Sequence, residues 1–198
     1  MAGTYPVFPT FQTVSFKINT PTLSTETLSG KRRRVGMGHS FYTFGAKYNN
    51  ITNYNFGPIA GFLAAQYGSL ENFQIVLPDI SFTKSATQTT NTVTTTANAS
   101  KGDNTVAPTG TSAGETLLLA GDFFKFNNHS KVYMCTSDFE HGDTTLYFSG
   151  SLVEDVPSGT QLTITNVPFT VILDSDVQEY QVGIGGVSTM SVDFREVW

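Results

Sequence analysis

Apolar residues recur at every second position through much of this chain. In "FQTVSFKI", Val14, Phe16 and Ile18 fall on one face and Thr13, Ser15 and Lys17 on the other, the period of a half-buried strand. A polar connection, "TPTLSTETLSGKRRR", follows, with Ser29 and Gly30 as its turn signal. From Arg32 to Tyr48 the residues are aromatic and β-branched enough to predict one long strand. Within it Gly36, Gly38 and Gly45 mark bulges or a close approach to another backbone. The pattern then changes. Phe56, Ile59, Ala60, Leu63 and Tyr67 recur at steps of three and four, which predicts a helix with Asn55 as its cap, Pro58 in its first turn and Gly68 as its stop. "FQIVLP" returns to a short apolar strand closed by Pro78.

Residues 84–116 are mostly Thr, Asn, Ser, Ala and Gly. One reading is an exposed strand around Thr92 to Thr96 within loose loops; the other is a disordered linker. Beyond it, "TLLLAGDFFKF", "KVYMCTSD", "TTLYFSG" and "QLTITNVPFTVIL" follow in quick succession, the pattern of a small barrel or sandwich. Near the end, Gly185 and Gly186 predict a two-residue hairpin turn. Gln178, Tyr180, Val182 and Ile184 share a face before it, and Met190, Val192, Phe194 and Trp198 share one after it. Both strands are therefore expected to close onto a core.

The 198 residues are 39% hydrophobic and 13% aromatic, enough for a core and against wholesale disorder. Only 14% are charged, which points either to assembly with other chains or to Thr, Ser and Asn standing in place of charge. Lys and Arg number 11 against 16 Asp and Glu, for a net charge of -5, which argues against specific nucleic-acid binding. The lone cysteine, Cys135, excludes a disulfide within the chain and fits a reducing compartment. The first residues lack the basic-then-apolar pattern of a secretory signal, and no run approaches the ~18 continuous apolar residues of a membrane helix. No cofactor, metal or membrane partner is expected.

Candidate chemistry is sparse. A thiol–imidazole pair from His129 and Cys135 would set the imidazole in a turn and the thiol up a strand, with no third group to orient them. Cys135 therefore reads as a small buried side chain. "EHGD", Glu140 to Asp143, gathers carboxylates and an imidazole on one turn, whereas metal ligands commonly converge from several elements; it reads as a solvated loop. No catalytic residue is assigned, and the chain is not expected to be an enzyme. The densest charge run is Lys31, Arg32, Arg33 and Arg34. Its members alternate along a strand, whereas a phosphate patch would gather them on one face. They are read as a solvated strand start or as a candidate oligomer interface, paired with Glu179, Asp193 or Glu196 of a neighbouring copy. "AGDFFKFNNHSKVYM" is read as a hairpin turning at "NNHS". Phe124, Phe126, Val132 and Met134 make its core face; Phe123, Lys125, Lys131 and Tyr133 make the other. That second face is either a partly covered sheet surface or a candidate glycan-contact face, where sugars or bases stack on rings beside cations.

Five pieces in order, "FQTVSFKINTPTL", "GKRRRVGMGHSFYTFGAKYNNIT", "FLAAQYGSLENFQIVLP", "AGDFFKFNNHSKVYM" and "TMSVDFREVW", resemble the distal tail proteins of long-tailed bacteriophages. The likeness spans most of the chain, is greatest to the short branch of that family, and rests on the ordered set, not on a chemical motif. It implies a mainly β fold. A β-sandwich or split-barrel ring-forming domain with one helix, residues 1–83 plus 171–198, would be interrupted over 84–170 by a small oligonucleotide/oligosaccharide-binding-type (OB) β-barrel. It implies a structural virion protein, assembled in the host cytoplasm and located at the distal end of the tail. There it would form a homo-oligomeric ring, hexameric in the family, joining the tail tube protein to the baseplate or tail-tip hub protein. An acidic balance would suit such a conduit, since it repels DNA and lets it slide. The alternative is a carbohydrate-binding module that attaches to host-surface glycan, resting on the OB-type insertion and the Phe123/Tyr133 face.

Overall fold

The computed structural model describes residues 3–85, 93–109 and 115–198, so Thr92 of the expected exposed strand lies outside the described residues. The fold is mainly β, with several antiparallel sheets. Strand β1 (Thr13–Asn19) keeps the predicted alternation at Val14 and Phe16, which pack against a core, whereas Ile18 near its end is 47% exposed. The polar connection is itself extended. Its β2 (Thr22–Glu26) pairs with β3 (Arg32–Gly36) in an antiparallel hairpin whose strand residues are all exposed. The single strand expected from Arg32 to Tyr48 is two, since β4 (Phe41–Thr52) begins only after a break. At Gly38 the chain turns through φ +78°, a conformation open to glycine that ends extended pairing, and its carbonyl accepts the Ser151 hydroxyl.

Helix α1 (Asn53–Ala65) starts two residues before the expected cap. Thr52 holds the cap position without a side-chain bond, Asn55 lies inside the helix, and Pro58 falls in the second turn. Phe56, Ile59 and Leu63 face inward as predicted. Tyr67 does not: the helix has ended, Tyr67 takes φ +53°, and its side chain is 76% exposed. After β5 (Phe73–Ile75) come the short strands β6 (Thr105–Val106), β7 (Thr116–Leu118), β8 (Phe123–Phe126), β9 (Val132–Met134), β10 (Phe139–Glu140), β11 (Leu146–Tyr147) and β12 (Leu162–Thr163). Then β13 (Phe169–Leu173), β14 (Tyr180–Gly183) and β15 (Val187–Glu196) close the chain.

Six strands form the main sheet, ordered β1–β4–β15–β13–β5, with β14 beside the beginning of β15. The pairing sets Phe44 opposite Phe194 and Ala46 opposite Val192. Tyr42, Phe44, Ala46 and Tyr48 of β4 join Met190, Val192 and Phe194 of β15 and the inner face of α1 in a first core. On the opposite face Gly45 is a place of close approach to side chains. A Cβ there would meet a carboxylate oxygen of Asp193 at 2.6 Å and the Ser15 hydroxyl at 3.0 Å. The final hairpin departs from expectation. Gly183 pairs with Val187, so the turn has three residues, Ile184 to Gly186, and β14 leaves Tyr180, Val182 and Ile184 exposed. Only β15 closes onto the core. A 510 Å³ cleft lined by Phe56, Leu63, Tyr180 and Met190 lies beside the helix, and the half-exposed Tyr180 ring reaches the Phe56 ring at 4.8 Å. Trp198 lies beyond the end of β15 and is 48% exposed.

A second core gathers residues from Val93 to Ile164, including Leu117, Phe124, Phe126, Tyr133, Cys135 and Phe139. Short ladders surround it: β7 with β10, β6 with β11, and β12–β8–β9. Val93 belongs to it and Thr95 is buried, while Thr94 is half-buried and Thr96 exposed, so the described part of the expected exposed strand is covered on one face. Val167 and Phe169 already belong to the first core. The hairpin β8–β9 lies between the two. Phe123 pairs with Met134 and Phe124 with Tyr133, and directly paired residues share a face. Phe123, Val132 and Met134 therefore pack toward the first core, and Phe124, Phe126 and Tyr133 toward the second. The expected faces are corrected by one residue of register, which moves every side chain of a strand to the other side.

Candidate functional site

Where the two cores meet, β15 supplies a carboxylate and the residue before β9 supplies an ammonium. Glu196 and Lys131 are 2% and 1% exposed, with Lys131 Nζ 2.5 Å from Glu196 Oε2. The Tyr42 amide also donates to Oε2 at 3.2 Å, and the Val132 amide donates to Oε1 at 3.0 Å. The ammonium lies 4.6 Å from the centre of the Tyr42 ring and 4.7 Å from that of Trp198. Burial pushes the Glu196 carboxyl up and the Lys131 ammonium down, each toward its neutral form, while the partner's charge and hydrogen bond oppose this. Three donors on the carboxylate and two ring faces about the ammonium stand in for water and favour the charged forms against that burial. Glu196 is thus spent within the chain and does not face a neighbouring copy, as the sequence reading had allowed. Its position in phase with Val192 and Phe194 was the signal that it is buried.

Asp122, which the sequence reading left without a role, fastens the lead-in to the second core. Its buried carboxylate accepts the Thr83 hydroxyl at 2.9 Å and the amides of Lys84 at 3.1 Å and Leu119 at 3.0 Å. The Lys84 ammonium lies 3.7 Å away.

The candidate glycan-contact face is not an accessible surface. Phe123, Lys131 and Tyr133 are 7%, 1% and 0% exposed, and only Lys125 reaches intermediate exposure, because the hairpin is packed on both sides. The ring of Phe123 meets Phe16, Tyr42 and Phe169 at 5.3, 5.4 and 5.6 Å. His129 bridges Asn128 Oδ1 at 2.9 Å and the Tyr133 hydroxyl at 2.8 Å, and burial lowers its pKa. The Cys135 thiol donates to the Ser137 carbonyl, and burial pushes it up to about 11, so it stays protonated near neutrality. Glu140 to Asp143 are exposed on a turn closed by the Glu140 amide on Asp143. Among the described residues no group of three His, Cys, Asp or Glu could hold a metal ion.

Lys31, Arg32, Arg33 and Arg34 are all exposed on the β2–β3 hairpin, where Arg32 Nε lies 3.7 Å from Glu26 Oε2. Glu179 and Asp193 are exposed as well. No protein-family model matches the chain, and no curated protein matches its sequence.

Proposed function

We propose that the chain is a structural subunit of a bacteriophage tail tip, forming a homo-oligomeric ring between the tail tube and the baseplate hub, with residues of the second core as an OB-type insertion. The observation that carries this reading, beside the ordered sequence likeness, is the pair of exposed β-arms. The β2–β3 hairpin presents Leu23, Leu28, Val35 and Met37, each at least 60% exposed, next to four cations. The β14 arm presents Tyr180, Val182 and Ile184. Apolar side chains gathered on protruding strands mark surfaces that another chain covers. A closed ring needs two different surfaces per subunit, and the basic hairpin and the Glu179/Asp193 side supply complementary ones.

Mass photometry of the native chain and of Arg32→Glu/Arg34→Glu, at low and high salt, tests this. The reversed chain should form fewer rings at low salt while keeping its melting temperature, since rim charges guide encounter and register. Equal ring fractions would remove the hairpin from the contact. A native chain that stays monomeric at every concentration, with and without tube protein, would overturn the ring.

A further inference from the structure

We propose that the cleft beside Trp198 and His39 is a saccharide-binding site. It has a volume of 490 Å³ and is lined by Met37, His39, Lys101, Ser151, Glu154 and Trp198. It thus lies between the β3–β4 break of the first unit and two loops of the second. A second cleft of 370 Å³ shares His39 and Trp198 and adds Phe41 and Arg195. The two rings therefore form a ridge between two concave surfaces.

The platform is fixed before any ligand arrives. Lys131, itself held by Glu196, contacts the indole from the buried side. The His39 ring stands 6.3 Å from the indole, and its Nδ1 lies 3.1 Å from the Met37 carbonyl oxygen. Trp198 nevertheless remains about half exposed. A pyranose ring has one apolar face of C–H bonds, which suits the negative face of an aromatic ring. Its rim of hydroxyls both donates and accepts. Glu154 can accept and Lys101 can donate; the Ser151 hydroxyl, donating to Gly38, keeps lone pairs free to accept. A few polar groups placed around an apolar platform are the usual composition of a small-ligand site. The site is separate from the buried Phe123/Tyr133 face and requires no ring.

Trp198 is the chain's one tryptophan, so tryptophan fluorescence reports on the surroundings of this residue. The full chain, as monomer and in whatever assembly it forms, is titrated with maltotriose, tri-N-acetylchitotriose and trigalacturonate. At least one should give a saturable change. Binding of that sugar should weaken about tenfold in Lys101→Ala/Glu154→Gln, whose side chains are exposed, and vanish by calorimetry in Trp198→Ala. Trp198→Phe should retain part of it. Absence of a saturable change with all three sugars overturns the site, as does undiminished binding in Lys101→Ala/Glu154→Gln. An emission shift on self-association without any sugar response would assign the indole to a subunit contact instead.

Discussion

Lys131 is a lysine that cannot reach water, and its removal leaves the Glu196 carboxylate buried with two backbone donors alone. Breaking such a pair from one side costs about 3–5 kcal/mol, so Lys131→Met should lower the urea midpoint steeply. Lys131→Met/Glu196→Gln should lose less than Lys131→Met by itself; equal or greater loss would show that the two groups are not coupled. A second residue gives a pH test. The Asp176 carboxylate accepts the Ser69 hydroxyl at 2.6 Å and the Ser69 amide at 2.9 Å, and these bonds hold its pKa below the usual 3.8. The folded chain thus keeps it ionised to lower pH than the unfolded chain does. Its contribution is complete above about 3.8 and is lost as pH falls through the folded value. Carboxyl NMR titration should show the depressed value, and Ser69→Ala should raise it toward normal. Neither contact could be read in advance, since each joins residues far apart in sequence, although the phase of Glu196 along β15 already marked it as inward.

At the scale of elements, α1 was legible because its inner stripe follows from local spacing. Its end was not, because Tyr67 keeps the spacing after the backbone has left the helix. Leu63→Ala should therefore cost ~2–5 kcal/mol in thermal or chemical unfolding, whereas Tyr67→Ala should change little. A Leu63 variant as stable as the native chain would place the stripe on an outer surface. Within the β2–β3 hairpin, the turn at Ser29 and Gly30 and the strand from Arg32 were legible, but β2 was hidden by its polarity: period two is visible only when one face is buried, and here every strand residue meets water. In β8–β9 the pattern was visible and the register was not. Both faces are apolar because both are buried, so alternation could not tell one side from the other.

At the scale of the whole molecule, two cores share one hairpin, and Phe123 is its main contact with the first. Amide exchange in β4 and β15 reports the first core, and alkylation of the buried Cys135 thiol reports the second. The two should give one midpoint in the native chain, as cooperative unfolding requires, and separate midpoints in Phe123→Ala. Coincident midpoints in that variant would show that Val132, Met134 and the Lys131–Glu196 bridge suffice to couple the cores. That bridge also bears on how such a chain can change over generations. A segment spliced in place of residues between Thr83 and Val167 would have to bring its own cation to the same spot, or strand a negative charge in the framework that receives it. Interchange of modules at this seam is thereby confined to those carrying a matching positive group, or to those that arrive together with a neutral residue at Glu196.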